Sequence, residues 1–338
     1  MNSGESTSQL VPCTGVVSCV QCSPYEHCSS LLCYASHVST DAGQTTHHIG
    51  IAQTHPKENS MLPDVRVVKE FEVESMVTCL ALSPRTHVES LPYEVVICAG
   101  TIDGKVNIVV TDLRESNDFE LGMPALGEHH KAVNGVSFDN ETGELLATVG
   151  DDNKCNVWNT LTGEIHCKFP LNSAGVDVQF SPHDRSKLAV AEKSGIIRFY
   201  DMMSLTAFMS VETRSSAVMK SMNWSTEDSN RIDMLCGDDW LLFDIASSCF
   251  PVKTVSVSSL LDSNKCGKRL KVLPGDSTLA AVSAGSGSDV TIFKSDPSAL
   301  QQRVSRFLGC GFSWLNSADS APCLVSGGDN NLILTLSR

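Results

Sequence analysis

The chain has 338 residues, with 25 basic and 39 acidic side chains and a formal net charge of −14. So acidic a surface repels phosphate, which argues against direct nucleic-acid binding, and no apolar run reaches the ~18 residues needed to cross a bilayer. The first fifteen residues are polar and lack the basic-then-apolar pattern of a secretion signal, which points to the cytosolic or nuclear side. The fourteen scattered cysteines then read as small buried hydrophobes and not as disulfides.

In chain order, residues 9–12 form a short apolar run, followed by strand patterns at 19–22, 31–34 and 48–52. From there the pattern repeats. A strand ending in a proline, tryptophan or acidic turn recurs at 19–24, 78–84, 133–139, 176–182, 219–225, 270–274 and 311–315. A second apolar run then leads into a tight turn: Asp103-Gly104, Asp151-Asp152-Asn153, Lys193-Ser194-Gly195, Asp238-Asp239, Ser286-Gly287-Ser288 and Asp329-Asn330-Asn331. A third run follows, often closing on an aromatic and a polar residue, as in Trp158-Asn159, Tyr200-Asp201, Phe243-Asp244 and Phe293-Lys294. The turns lie roughly 42–49 residues apart, close to the ~40–45 of WD repeats.

Seven copies of such a unit predict an all-β fold, a seven-bladed WD-repeat β-propeller occupying residues 1–338 as one domain. The blades are placed at approximately 15–75, 76–125, 126–172, 173–215, 216–262, 263–306 and 307–338. Residues 1–14 are expected to act as a latch, adding an outer strand to the last blade and so removing an open sheet edge. The third unit comes closest to the WD pattern, with His129 near its start and Asp152 six residues before Trp158. In that family His, Ser/Thr, Asp and Trp form a hydrogen-bonded chain. The hydroxyl position, counted eight before Trp158, is Gly150, so the chain is expected to be incomplete.

Three segments carry a closer likeness: residues 82–112 (LSPRTHVESLPYEVVICAGTIDGKVNIVVTD), 188–201 (LAVAEKSGIIRFYD) and 236–251 (CGDDWLLFDIASSCFP). Asp239-Trp240-Leu241 and Ala191-Glu192-Lys193 within them are more specific than the WD pattern itself. On these residues the chain resembles the small WD-repeat nucleoporin of the Y-shaped outer scaffold of the nuclear pore. The resemblance implies a scaffold role in pore assembly and nucleocytoplasmic transport, including mRNA export, at the nuclear envelope, with a visit to kinetochores in mitosis in some animals. The implied partners are the large α-helical and β-propeller nucleoporin of the short arm and other Y-complex subunits. It carries over no catalytic or ligand-binding residue, so no enzyme activity, cofactor or metal is expected. The alternative is another WD adaptor, such as a ubiquitin-ligase substrate receptor or a chromatin-associated module.

Rival chemistries are weak. Cys19 and Cys22 resemble a zinc pair, but residues three apart on a strand face opposite ways. Gly285-Ser286-Gly287 lacks both a following helix and a Walker lysine. The densest basic group, Lys265, Lys268, Arg269 and Lys271, reads as a loop running into a strand. A propeller enzyme would need a polar set around its central channel, and none is evident. Function then falls to loops. The long connections at 54–64 and 84–93 are expected to emerge on one face, where Leu62, Pro63, Leu91, Pro92 and Tyr93 would give a partner apolar anchors. A propeller that closes on itself is expected to be monomeric alone.

Overall fold

The computed structural model describes residues 8–40, 43–57, 60–91, 93–113, 126–257, 267–284, 288–294, 302–307, 311–315 and 322–336. Its strands run in chain order as β1 (Ser8–Cys22), β2 (Leu31–Ser39), β3 (Thr45–His55), β4 (Asp64–Val73), β5 (Val77–Leu82), β6 (Val95–Thr101), β7 (Lys105–Thr111), β8 (Leu126–Glu128), β9 (Val133–Phe138), β10 (Leu145–Gly150), β11 (Lys154–Asn159), β12 (Ile165–Pro170), β13 (Gly175–Phe180) and β14 (Lys187–Glu192). They continue as β15 (Ile196–Asp201), β16 (Thr206–Glu212), β17 (Met219–Trp224), β18 (Arg231–Cys236), β19 (Asp239–Asp244), β20 (Lys253–Ser256), β21 (Gly267–Leu273), β22 (Asp276–Ala284), β23 (Ser288–Lys294), β24 (Gln302–Phe307), β25 (Phe312–Leu315), β26 (Cys323–Gly327) and β27 (Asp329–Leu336).

Five sheets are free-standing four-stranded antiparallel meanders: β5–β8, β9–β12, β13–β16, β17–β20 and β21–β24. The remaining strands form one continuous seven-stranded sheet in the order β25-β26-β27-β1-β2-β3-β4. The expectation of a seven-bladed propeller is therefore corrected: the propeller has five discrete blades, and its N- and C-terminal strands merge into a single sheet. The physical reason is the length of β1. Its fifteen residues pair with β27 through residues 8–12 and with β2 through residues 16–22. A strand that ladders on both sides leaves no edge at which two sheets could part.

The switch of partner happens at a kink between Pro12 and Val16, where the β1–β27 register shifts. Gly15 adopts φ +77 there, and a Cβ on it would lie 2.4 Å from the His37 carbonyl oxygen; glycine alone tolerates both conditions. The kink is held from two sides. Gly15 N–H donates to Asn330 Oδ1 at 3.0 Å, and Thr14 donates its N–H and hydroxyl to the two Glu70 oxygens at 2.9 and 2.6 Å. Tyr34 OH also donates to Glu70. Burial pushes the Glu70 carboxyl up, but these donors pull it further down, to a net position below the ordinary range.

Burial follows strand position. The second strands β6, β10, β14, β18 and β26 are buried almost throughout, because each is covered on both faces by neighbouring sheets. This is why they read as unbroken apolar runs instead of alternating ones. The fourth strands β12, β16 and β20 form the exposed rim. Adjacent sheets interlock through side chains such as Phe199 and Trp224, edge to face at 5.4 Å, and Phe169 and Tyr200, stacked at 4.1 Å. Each such buried apolar side chain stabilises the fold by about 1.5–3 kcal/mol.

Turn chemistry repeats with the sheets. After the leading strands, Ser23, Ser83, Asp139, Ser181 and Ser225 each accept a hydrogen bond at 3.2 Å from the N–H two residues on. Between third and fourth strands, Asn159, Asp201 and Asp244 do the same at 2.8–3.1 Å. The polar residue after the aromatic is thus a turn former at these three positions. Asp151 and Asp152 lie in the turn between β10 and β11, and Asp239 opens β19.

Candidate interaction surface and channel

The third repeat contains a complete hydrogen-bonded chain. Trp158 Nε1–H donates to Thr148 Oγ1 at 2.9 Å, Thr148 Oγ1 lies 2.8 Å from His129 Nε2, and His129 Nδ1 lies 2.9 Å from Asp152 Oδ1. An ionised carboxylate only accepts, so the imidazole donates from Nδ1 and takes the threonine proton at Nε2. Every donor then has one acceptor. His129 follows β8, the outer strand of one sheet, and its partners lie on the next, so the chain staples two sheets together. His130 N–H adds a bond to Asp152 Oδ2 at 3.2 Å. Burial pushes the Asp152 carboxyl up, but the hydrogen bonds from His129 and the His130 N–H outweigh it, leaving it below the ordinary range.

The expectation of an incomplete chain is corrected. Thr148, ten residues before Trp158, supplies the hydroxyl, and Gly150 one pleat further along has no room for one. A Cβ on Gly150 would lie 2.6 Å from the Ala132 carbonyl oxygen and 3.2 Å from His129 Nδ1. Residues 148 and 150 share a strand face, so counting alone could not separate them; the room available separates them.

The proposed apolar anchors divide. Leu91 is 65% exposed, and Tyr93 and Pro63 are half-buried. Leu62 is only 4% exposed and packs with Val11, Val65 and Leu332, so it belongs to the core and not to a partner surface. An apolar side chain in a polar connection gains more by folding back onto the sheet than by standing in water. Pro92 lies outside the described residues, as do Lys265 and the 285–287 turn. The connections at this face adjoin one another: His27 Nε2 lies 3.1 Å from the Pro84 carbonyl oxygen, and Gly143 abuts Ser83 and Pro84.

Cys19 and Cys22 are both buried but lie in different core clusters, Cys22 with Leu32 and Val325 and Cys19 with Ile49 and Val95. The strand's pleat has parted them, as the alternation rule requires. Among the described residues no group of three or more His, Cys, Asp or Glu is placed to hold a metal ion, and no helix is long and apolar enough to cross a membrane.

The view that no polar set faces the axis is overturned. The leading strands β5, β9, β13, β17 and β21, with the second half of β1 and with β25, line a central cavity of about 230 Å³. Gln21, Asn134, Asp177, Gln179, Arg269 and Lys271 all contribute to its wall. A strand pattern of alternating residues is visible in sequence. Which alternate set meets at an axis is decided only when the sheets close around it.

Repeating antiparallel sheets around a channel, stapled by a His-Thr-Asp-Trp chain, define a WD-repeat β-propeller. The family described as WD domain, G-beta repeat matches residues 124–159, the segment that holds this chain. Across its length the protein is similar to nucleoporin Nup37. It is 28% identical to that of Homo sapiens over 337 residues, 98% of this chain and 97% of the relative. It is 33% identical to that of Mus musculus over 189 residues, 56% of each chain, and 33% identical to that of Drosophila melanogaster over 204 residues, 60% of each.

Proposed function

We propose that this protein is a non-enzymatic scaffold subunit of the outer, Y-shaped nuclear pore complex. The observation that carries the reading is the span of the similarity: it covers 98% of the chain, so the whole propeller corresponds, and not one repeat alone. In this reading the chain docks on a large α-helical and β-propeller nucleoporin of the short arm and supports pore assembly and nucleocytoplasmic transport. A rigid ring of sheets with short, self-satisfied turns suits a part that holds position, because little ordering entropy is lost on binding.

Affinity capture of the tagged full chain, read by mass spectrometry, tests this. Recovery of Y-complex nucleoporins is expected; recovery of ubiquitin-ligase or chromatin subunits in their place overturns it. Within the same reading, Leu91 and Tyr93 form part of the contact. Leu91→Asp with Tyr93→Ala is expected to reduce that recovery, and unaltered recovery removes this face from the proposal.

A further inference from the structure

Arg269 and Lys271 stand two residues apart on β21, so the pleat directs both side chains to one side, the wall of the central cavity. The charge of Asp177 favours the charged form of both, but neither makes an ion pair with it. The polar contacts of these side chains are Arg269 Nη1 to Cys19 Sγ at 3.9 Å and Lys271 Nζ to Gln21 Oε1 at 3.4 Å. Among the described residues no carboxylate lies within ion-pair distance of either. A guanidinium carries five donors and an ammonium three, so most of this donor capacity is left unused by the described residues.

Among the described residues the one carboxylate on the cavity wall is Asp177. Its oxygens are turned to the backbone, accepting from Val178 N–H at 2.9 Å and Met222 N–H at 3.2 Å. The other polar groups on the wall are neutral. Gln179 is spent on Met222 and Trp224 of β17, and Asn134 on Gly175 and Asp151. The cavity therefore holds two positive charges against one negative, at the axis of a chain whose net charge is −14. Burial, and then the neighbouring Arg269 charge, push the Lys271 amine below its ordinary range. Like charges held together in a low-dielectric cleft are stable only when something compensates them.

We propose that the central channel is a binding site for a small, free phosphate-bearing anion, held by Arg269 and Lys271. The planar fork of Arg269 offers parallel N–H donors to an oxyanion, and Lys271 supplies a point charge beside it. The low-dielectric walls concentrate that field within the channel. The cavity has room for the anion with bridging waters. This site is separate from the loop face assigned to protein docking and does not depend on that assignment.

Thermal melts of the purified full chain in titrated pyrophosphate, against sodium chloride at matched ionic strength and pH, test the site. A saturable rise in melting temperature is expected with pyrophosphate only. Arg269→Gln and Lys271→Gln are each expected to weaken binding about tenfold, and Asp177→Asn, which removes the competing negative charge, to tighten it. No saturable rise, or equal binding by wild type and both glutamine variants, overturns the proposal. Should a glutamine variant fail to fold, Asp177→Asn and Lys271→Arg decide: weaker binding in the first, or none in the second, also overturns it.

Discussion

Thr148 sits at the middle of a buried relay, accepting from Trp158 and donating to His129. Thr148→Val removes the hydroxyl while keeping the shape, leaves the indole N–H of Trp158 unpaired, and leaves His129 Nε2 with only the longer contact to Asn156 Nδ2 at 3.4 Å. Such a loss costs about 1–3 kcal/mol, and Thr148→Ser is expected to restore most of it; chemical denaturation of the three proteins measures this. Asp152 adds a pH dependence. Its folded pKa lies below the ordinary carboxylate value, so its contribution is fully present above the unfolded pKa of about 3.9 and fades as pH falls through the lower, folded value. Asp152→Asn is expected to be less stable than wild type at pH 7 and to approach it at pH 3. Denaturant midpoints at the two pH values show whether the gap narrows.

Among elements, β1 is the one on which closure depends. Residues 8–12 cover the edge of β27, and residues 16–22 stand at the channel as the leading strand of the β2–β4 group. Deleting residues 1–14 strips that cover and the Thr14–Glu70 clamp together. The melting temperature is expected to fall by about 5 °C or more, and an unchanged melt in scanning calorimetry would show that the latch contributes nothing. Gly15→Ala probes the kink alone. It is expected to destabilise, because an L side chain at φ +77 meets the His37 carbonyl at 2.4 Å. Equal stability of the two proteins would mean the strand can cross between partners without this turn.

On the scale of the molecule, packing of the sheets buries nine of the twelve described thiols. Burial drives Cys22, Cys79 and Cys323 up to about 12, far from the reactive thiolate. Cys249 is exposed. Brief iodoacetamide treatment of the native chain, read by peptide mapping, is expected to modify Cys249 well before Cys22, Cys79, Cys98 or Cys323. Comparable labelling of the buried set would show that the sheets open readily. The acidic exterior and the cationic channel illustrate the same point about scale: a formal charge of −14 describes the surface and says nothing of the sign at the axis.

Strand runs, their turns and the WD-like third repeat were legible in the sequence because each rests on local chemistry: β-branched runs, Asx and serine turns, and a histidine and tryptophan at family spacing. The expectation of separate blades failed at β1, since how many partners a long strand takes depends on what lies on both sides of it. Thr148 and Gly150 lie on one strand face and look alike in sequence until the crowding around each is known. Leu62 has the sequence setting of a surface residue, because a loop's composition does not reveal whether it folds back onto a sheet. The amino-acid sequence by itself determined that this chain would be repeating antiparallel sheet with buried thiols and an acidic exterior. Only the tertiary structure decided that the terminal strands share one sheet and that Arg269 and Lys271 meet at the axis, because closure brings together residues roughly 250 positions apart, and no local preference encodes which of them will face each other.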